Sequence, residues 1–340
     1  MNAAELPMIL FTVLAQMSVG AFLTLVLIQS YGAVRRIPAA SIDRVTHAAA
    51  FAVGPLLVLG FLAAFFHLND PFHALSTFRH VGTSWLSREI AFGVLYGALG
   101  LLTTAMEWFS WGPRRARQAL AVLTALSGAG LVIAMTCVYY SVRTIPAWHT
   151  PATWMLFVGS TLLTGPLAVG VALLFSWTRQ RVREKWGART AWSRFLERLQ
   201  VTREEPMDAD CSGLIARSIQ LTAAIASVAG ALLLVAYPFC LMRLAGAGSG
   251  EEEAADHVLA GLSEGPVLGV RLVLLAAVVV LIRLVAHQRA KESSQPSRVL
   301  VWVMIVACIM AVVTELMGRA IHYEGLFHVG INTLQTGLGQ

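Results

Sequence analysis

Charged side chains are scarce in this chain. They make up 13% of its 340 residues, whereas a soluble domain carries about 25%. Hydrophobic residues make up 57%, and the mean hydropathy is +0.68. This lack of charge excludes an ordinary soluble domain and predicts an integral membrane protein.

Cysteines are few as well, and their spacing is uninformative for metal binding. The four cysteines form no Cys-x-x-Cys pair, which argues against a zinc or iron–sulfur site on this chain. Cys137, Cys240 and Cys308 lie in apolar segments, where they are most simply packing residues. The amino terminus also lacks the basic region and the small-residue cleavage site of a signal peptide, so its apolar segment is predicted to be retained.

Eight apolar segments are each near the roughly 20 residues that cross a bilayer. Backbone polar groups in lipid must be bonded within the segment, so the segments predict helices. We predict an all-α, polytopic membrane protein that forms a single integral membrane domain over residues 1–340. The predicted spans are residues 7–29, 46–68, 86–106, 118–140, 152–177, 215–244, 266–287 and 299–319.

The basic residues predict the orientation. Of the 25 Lys and Arg residues, 17 fall in the links after spans one, three, five and seven, against three on the opposite side of the membrane. Such an excess marks the cytoplasmic side, so both termini are predicted to be non-cytoplasmic. The net charge of +6 follows from this topology and implies no nucleic-acid partner.

Two links are long enough to carry structure of their own. In the basic link after span five, four apolar residues of Trp192–Leu199 repeat at helical spacing. This pattern favours a helix in the cytoplasmic interface over a solvated basic loop. The acidic link over residues 245–265 is expected to be a flexible, solvated loop.

The stretch Phe61–Gly93 carries the clearest chemical signal. His67 ends an apolar helix, and Glu89 lies in the first turns of the next span on the same side of the membrane. An imidazole at the hydrocarbon boundary can accept a proton from a phenolic hydroxyl. The alternatives are an interfacial histidine bonded to a carbonyl and a carboxylate stabilised by the helix dipole. Because His67 and Glu89 lie on the same side of the membrane, their positions favour proton chemistry at the membrane edge.

Ionisable and amide side chains also occur inside the spans. Glu315 and Arg319 are four residues apart, so they share a helix face and can pair. Such groups usually face a bundle interior or a polar cavity. Two roles fit Glu315 and Arg319: an ion pair that ties the last span to its neighbours, or binding of a ligand. Gln16 in span one is similarly placed, and its role is left open in the same way.

Five fragments of the sequence carry a resemblance to a known family. They are PMILFTVLAQ at 7–16, HLNDPFHALSTFRHVGTSWLSREIAFG at 67–93, VYYSVRTIPAW at 138–148, GPLAVG at 165–170 and ELMGRAIHY at 315–323. In this order, with eight spans, the chain resembles the membrane-anchor subunit of bacterial dimethyl sulfoxide reductases. The likeness covers nearly the whole chain.

The resemblance implies a function in anaerobic respiration. Such an anchor lies in the bacterial inner membrane, oxidises menaquinol and passes electrons to an iron–sulfur subunit, which feeds a molybdopterin catalytic subunit. It implies quinol-binding roles for His67 and Glu89, and no haem or metal on this chain. His67 would accept a quinol proton, and Glu89 would hold or relay one. The remaining candidate quinol-binding residues are Arg79, Arg88, Gln16, Glu315 and Arg319.

Two other functions are compatible with a polytopic chain. A b-type cytochrome anchor needs two histidines from different spans, for which His67 and His322 are the one pair that we consider. A secondary transporter would place ionisable groups or broken helices near the midplane, often with repeat symmetry. The polar groups here cluster toward one face of the membrane instead, which favours the anchor.

Overall fold

The structure is a computed structural model that describes residues 6–67, 78–186, 209–248, 251–263, 265–287 and 297–327. Within these ranges the regular elements are helical. The helices are α1 (Leu6–Val34), α2 (Ala39–His67), α3 (Trp85–Trp108), α4 (Arg114–Tyr140), α5 (Pro151–Trp186), α6 (Ala209–Ala245), α7 (Glu252–Ser263), α8 (Val267–Val280) and α9 (Arg298–Glu324). A π-helical turn over Leu281–Ala286 continues α8.

All of these helices except the short α7 are long and apolar enough to cross a membrane. This confirms the predicted all-α fold with eight spans. The predicted boundaries differ most from the structure in α2, α5 and α6. In each of them, the end that is predicted to be cytoplasmic continues beyond the apolar run. The predicted interfacial helix at 192–199 lies outside the described residues.

The centre of the bundle is the crossing of α1 and α5. Gly20 of α1 lies directly against Gly165 of α5, and a Cβ on Gly20 would overlap the carbonyl oxygen of Thr161. Backbones approach this closely only where side chains are absent, as is common between helices in membranes. Around this contact, Val19 and Leu163 have no exposed surface. Gly165, the first glycine of the GPLAVG fragment, therefore has a packing role.

An ion-pair network joins three helices at the end that is predicted to be cytoplasmic. Asp43 of α2 binds Arg114 and Arg117 of α4 at 2.9 and 3.1 Å. Arg117 also lies 3.5 Å from Glu107 of α3, whose side chain is buried. A buried carboxylate needs such a partner, because an unpaired charge is costly to bury. The network fixes α3, which carries Glu89 at its opposite end.

The acidic link over residues 245–265 contains a helix, so the prediction of a flexible loop is wrong for residues 252–263. These residues form α7, whose first turn holds the acidic residues Glu252 and Glu253. Ala255 and Val258 of α7 are buried against Leu244 and its neighbours. Acidic side chains stabilise the amino-terminal turn of a helix, and the small apolar face then packs on the bundle.

Candidate functional site

The predicted site begins where α2 ends and α3 starts. The two helices pack together, since the Phe61 ring of α2 occupies the space where Gly97 of α3 has no side chain. His67 is the last residue of α2. Its side chain and residues 68–77 lie outside the described residues, so the approach of His67 to Glu89 stays a prediction.

Arg88 holds the turn that leads into α3. Its guanidinium donates hydrogen bonds to the carbonyl oxygens of Val81 and Gly82, at 2.9 and 2.7 Å. It also lies 4.3 Å from the centre of the Trp85 ring. Ser84 caps the helix by accepting a hydrogen bond from the backbone of its first turn. These contacts give Arg88 a structural role, whereas Arg79 is exposed on the same turn.

Glu89 is half-buried in the second turn of α3. The helix-dipole explanation therefore weakens, because that effect fades beyond the first turn. Among the described residues, none forms a hydrogen bond or an ion pair with the Glu89 carboxyl group. The group does interact electrostatically with the phenols of Tyr139 and Tyr323.

The two phenols form a hydrogen-bonded pair within electrostatic range of Glu89. Tyr139 ends the apolar part of α4, Tyr323 lies near the end of α9, and their hydroxyl oxygens are 3.1 Å apart. Tyr323 also shares a buried apolar cluster with Ile9 of α1. The pair therefore joins three helices at the side of the membrane where Glu89 lies. Phenol hydroxyls both donate and accept hydrogen bonds, so the pair can pass a proton.

An aromatic box encloses His322 next to this pair. The imidazole ring centre is 5.1 Å from the ring of Tyr139 and 5.6 Å from those of Trp148 and Phe157. Trp148 stacks on it at 19° and donates a hydrogen bond from its indole N–H to the carbonyl oxygen of His322, at 2.8 Å. The Nε2 atom of His322 is buried and has no hydrogen-bond partner among the described residues.

Arg319 and Gln16 are buried together between α9 and α1. The Nη2 atom of Arg319 donates to the Oε1 atom of Gln16 at 2.9 Å, and the guanidinium lies 3.8 Å from the centre of the Phe157 ring. Within the described part of the chain, Nε and Nη1 of Arg319 and Nε2 of Gln16 have no acceptor. A ligand oxygen that reached this position would find free N–H donors.

Glu315 takes a partner from another helix. Its Oε1 atom lies 3.3 Å from Nη2 of Arg271 on α8, and both side chains are almost fully buried. Arg271 also donates to the carbonyl oxygen of Thr314 and lies over the Tyr237 ring. Glu315 and Arg319 share a helix face as predicted but bind different partners. The ion pair that ties the last span to a neighbour is therefore the interpretation that the contacts favour.

An apolar groove lies deeper on the face of α3 that carries Glu89. It runs between α1, α2, α3 and α4. Gly93 and Tyr96 of α3 line it, four and seven residues beyond Glu89. Sequence reasoning missed this groove, although the glycine spacing in α2 and α3 was visible.

Together these features describe a place for proton exchange at one end of the bundle. Glu89 offers a carboxyl group without a hydrogen-bond partner among the described residues. The phenol pair of Tyr139 and Tyr323 lies within electrostatic range of Glu89. One helical turn along α3 from Glu89, Gly93 lines the apolar groove. A hydroxyl-bearing ring with an apolar body matches this combination of groups.

Comparison with known proteins gives a consistent answer. A family described as the DMSO reductase anchor subunit (DmsC) matches residues 1–326. One component of the anaerobic dimethyl sulfoxide reductase of Escherichia coli is 32% identical over 170 residues, which cover 50% of this chain and 58% of that protein. A second protein of the same organism, the anaerobic dimethyl sulfoxide reductase chain YnfH, is 31% identical over 169 residues, covering 50% and 57%.

A relative with a different name also matches. A sulfite dehydrogenase subunit of Allochromatium vinosum is 31% identical over 164 residues, covering 45% of this chain and 50% of that protein. The chain thus spans little more than half the length of the curated relatives that it matches. The family match, in contrast, extends over all eight of the described helices that can cross a membrane. The chain belongs to the family of DMSO reductase anchor subunits.

Proposed function

We propose that this chain anchors a dimethyl sulfoxide reductase-type complex in the bacterial inner membrane and oxidises menaquinol there. Electrons pass to an iron–sulfur subunit and then to a molybdopterin catalytic subunit. Family membership and the names of the relatives support the anchoring role. The eight apolar helices supply the membrane domain to which such subunits would attach.

The observation that carries the proposal is the position of Glu89. Its carboxyl group has no hydrogen-bond partner among the described residues and lies within electrostatic range of the phenols of Tyr139 and Tyr323. Gly93, one helical turn along α3 from Glu89, lines an apolar groove. Quinol oxidation releases two electrons and two protons, so the site needs proton acceptors within hydrogen-bond reach of the ring hydroxyls. Glu89 takes one proton, and His67, at the end of α2, takes the other.

The other candidate residues divide by their contacts. Gln16 and Arg319 have N–H groups without an acceptor in the described structure, so they can bind an oxygen of the quinol or of the quinone product. Arg88 is occupied by the turn before α3, and Glu315 by Arg271. Arg79 is exposed and can reach only the edge of the site. We therefore place Gln16 and Arg319 in the quinol site and give Arg88 and Glu315 supporting roles.

The direction of electron flow is part of the proposal. One relative is named a sulfite dehydrogenase subunit. A dehydrogenase takes electrons from its substrate and passes them to an acceptor, whereas a reductase passes electrons to its substrate. Proton exchange at Glu89 and His67 works in both directions, because each group can release the proton that it binds. Quinol oxidation is the direction that the dimethyl sulfoxide reductase relatives favour.

The test compares quinol-linked turnover with turnover from an artificial donor in membranes that contain the complex. Replacing His67 by Ala should abolish the first and spare the second, with normal membrane-bound levels of the partner subunits. His67→Arg should be equally severe, because a fixed cation cannot accept a proton. Glu89→Gln should slow quinol turnover while keeping the size of the side chain. Normal quinol turnover in His67→Ala and in Glu89→Gln would overturn the proposed site.

The two alternative functions have simple tests of their own. A reduced-minus-oxidised spectrum of the purified chain would show a b-type haem if His67 and His322 held one. Uptake of a solute into vesicles would indicate a transporter. Either signal, in a preparation without quinol turnover, would contradict the proposal.

A further inference from the structure

Arg319 is a buried cation without a counterion in the part of the chain that the structure describes. It is 3% exposed, and its hydrogen bond to the Oε1 atom of Gln16 joins it to a neutral group. Glu315, four residues away on α9, pairs with Arg271 instead, and Glu89 forms no ion pair among the described residues. Burying a charge without a partner is costly, so the position of Arg319 favours binding of a negative charge.

Unpaired nitrogen atoms accompany this charge. Nε and Nη1 of Arg319 and Nε2 of Gln16 have no acceptor within the described residues, and Nε2 of His322 has no partner there either. Gln16 has no exposed surface, and His322 is 5% exposed. Buried polar groups nearly always have a hydrogen-bond partner. Water can accept from free N–H groups but leaves the charge of Arg319 unbalanced, whereas an anion accepts hydrogen bonds and also supplies the charge.

The three side chains adjoin one another around one ring of α5. The Arg319 guanidinium lies 3.8 Å from the centre of the Phe157 ring, and the imidazole centre of His322 lies 5.6 Å from it. His322 follows Arg319 by three residues, so both are on one face of α9, and Gln16 is hydrogen-bonded to Arg319 at 2.9 Å. Arg319 and Glu89 both lie within electrostatic range of the phenol pair. Among buried rings, a cation attracts an anion more strongly than it would in water.

We infer that Gln16, Arg319 and His322 form a binding site for a singly charged anion between α1, α5 and α9. The anion has two possible sources, the deprotonated oxygen of the quinol and free chloride. The first source rests on the proposed quinol oxidation. There, the first proton passes to Glu89 and leaves the quinol as an anion. The site would bind this anion until its second proton passes to His67 and its two electrons pass to the iron–sulfur subunit.

The test gives Arg319 a counterion from within the chain. Gln16→Glu keeps the size of the side chain and places a carboxylate where Gln16 accepts a hydrogen bond from Arg319. This variant should assemble, because it pairs a buried charge instead of removing a partner. Gln118→Glu is the matched control, since Gln118 is half-buried near the start of α4, at the other end of the bundle.

Binding of two naphthoquinones to the purified complex tests the quinol anion as the source. Lawsone carries a hydroxyl group that is ionised at neutral pH, and menadione is neutral because a methyl group replaces that hydroxyl. Calorimetry at constant pH and ionic strength measures both dissociation constants. We expect Gln16→Glu to weaken lawsone binding about thirtyfold, equivalent to ~2 kcal/mol, and to change menadione binding less than about threefold. Gln118→Glu should bind both compounds as the wild type does.

Thermal unfolding of the same proteins tests chloride as the source. Tm is measured in sodium chloride and in sodium gluconate at equal ionic strength, because gluconate is much larger than chloride. If the site takes free chloride, chloride should raise the Tm of the wild type and of Gln118→Glu. It should leave the Tm of Gln16→Glu unchanged, because the new carboxylate already balances Arg319.

An anion effect that disappears in Gln16→Glu supports the site, with lawsone indicating the quinol anion and chloride alone indicating a free anion. Equal binding of lawsone and menadione by the wild type, together with no effect of chloride, would overturn the inference. An anion effect that persists in Gln16→Glu would overturn it as well. If Gln16→Glu does not assemble, Arg319→Met replaces it, and the same loss is expected. A wild-type complex that binds the anion but does not oxidise quinol would refute the proposed function and leave the anion site standing.

Discussion

The buried pair of Arg271 and Glu315 allows a structural role to be separated from a role in the site. Arg271 has no exposed surface, and the Glu315 side chain is 4% exposed. Replacing Arg271 by Met would leave the carboxylate buried without its cation. Removing one partner of a buried pair costs about 3–5 kcal/mol, a large share of a total stability of roughly 5–15 kcal/mol.

The double variant should recover most of that loss. Arg271→Met combined with Glu315→Leu replaces both charges by apolar side chains, a change that is often close to neutral. We therefore expect a favourable coupling energy of ~3 kcal/mol between the two substitutions. Arg283→Met is the control, because Arg283 is exposed at the other end of the same helix and should change stability by less than about 0.5 kcal/mol.

Unfolding in mixed detergent micelles would give these free energies, and quinol turnover would be measured on the same proteins. A stable double variant that keeps quinol turnover would assign Glu315 to the packing of α8 against α9. The reasoning would be refuted if Arg271→Met were as stable as the control, or if the double variant showed the sum of the two single losses. A stable double variant without turnover would move Glu315 into the quinol site.

Three further predictions test other parts of the structure. Gly20→Ala should prevent folding, because its Cβ would overlap a carbonyl oxygen of α5. The level of membrane-inserted protein is compared with that of the control Gly269→Ala, and equal levels would contradict the close crossing of α1 and α5. Tyr139→Phe removes the hydrogen bond to Tyr323 and should cost about 0.5–1.5 kcal/mol while slowing quinol turnover; unchanged turnover would exclude the phenol pair from proton transfer. Reporter fusions in the links after α1 and α3 should report the cytoplasm, and periplasmic signals at both would overturn the orientation.

Some of this structure could be predicted because the signals are local. Each membrane span is a continuous apolar run, so composition alone indicates all eight helices. The start of α3 is also readable, since Ser84 precedes an apolar run and acts as its cap. Even so, α7 was missed. Its apolar face consists of a few small residues between acidic ones, a weak signal beside a span of Leu and Val.

The partners of the buried polar groups could not be predicted, because they depend on which helix faces meet. Glu315 and Arg319 are neighbours on α9, yet their contacts are with α8 and α1. The aromatic box of His322 depends on Trp148, which lies in the link before α5 and reaches across to α9. Helix spacing shows which residues share a face, but the neighbouring helix is set by packing of the whole bundle.

The central claim is that quinol reaches the complex only through this chain. Its most direct test is quinol-linked reduction measured in membranes and soluble fractions, with and without the gene for this chain. We expect its loss to release the partner subunits or loosen their attachment, to leave reduction by an artificial donor intact, and to abolish reduction by menaquinol. Menaquinol-dependent reduction that persisted without the chain would contradict the account.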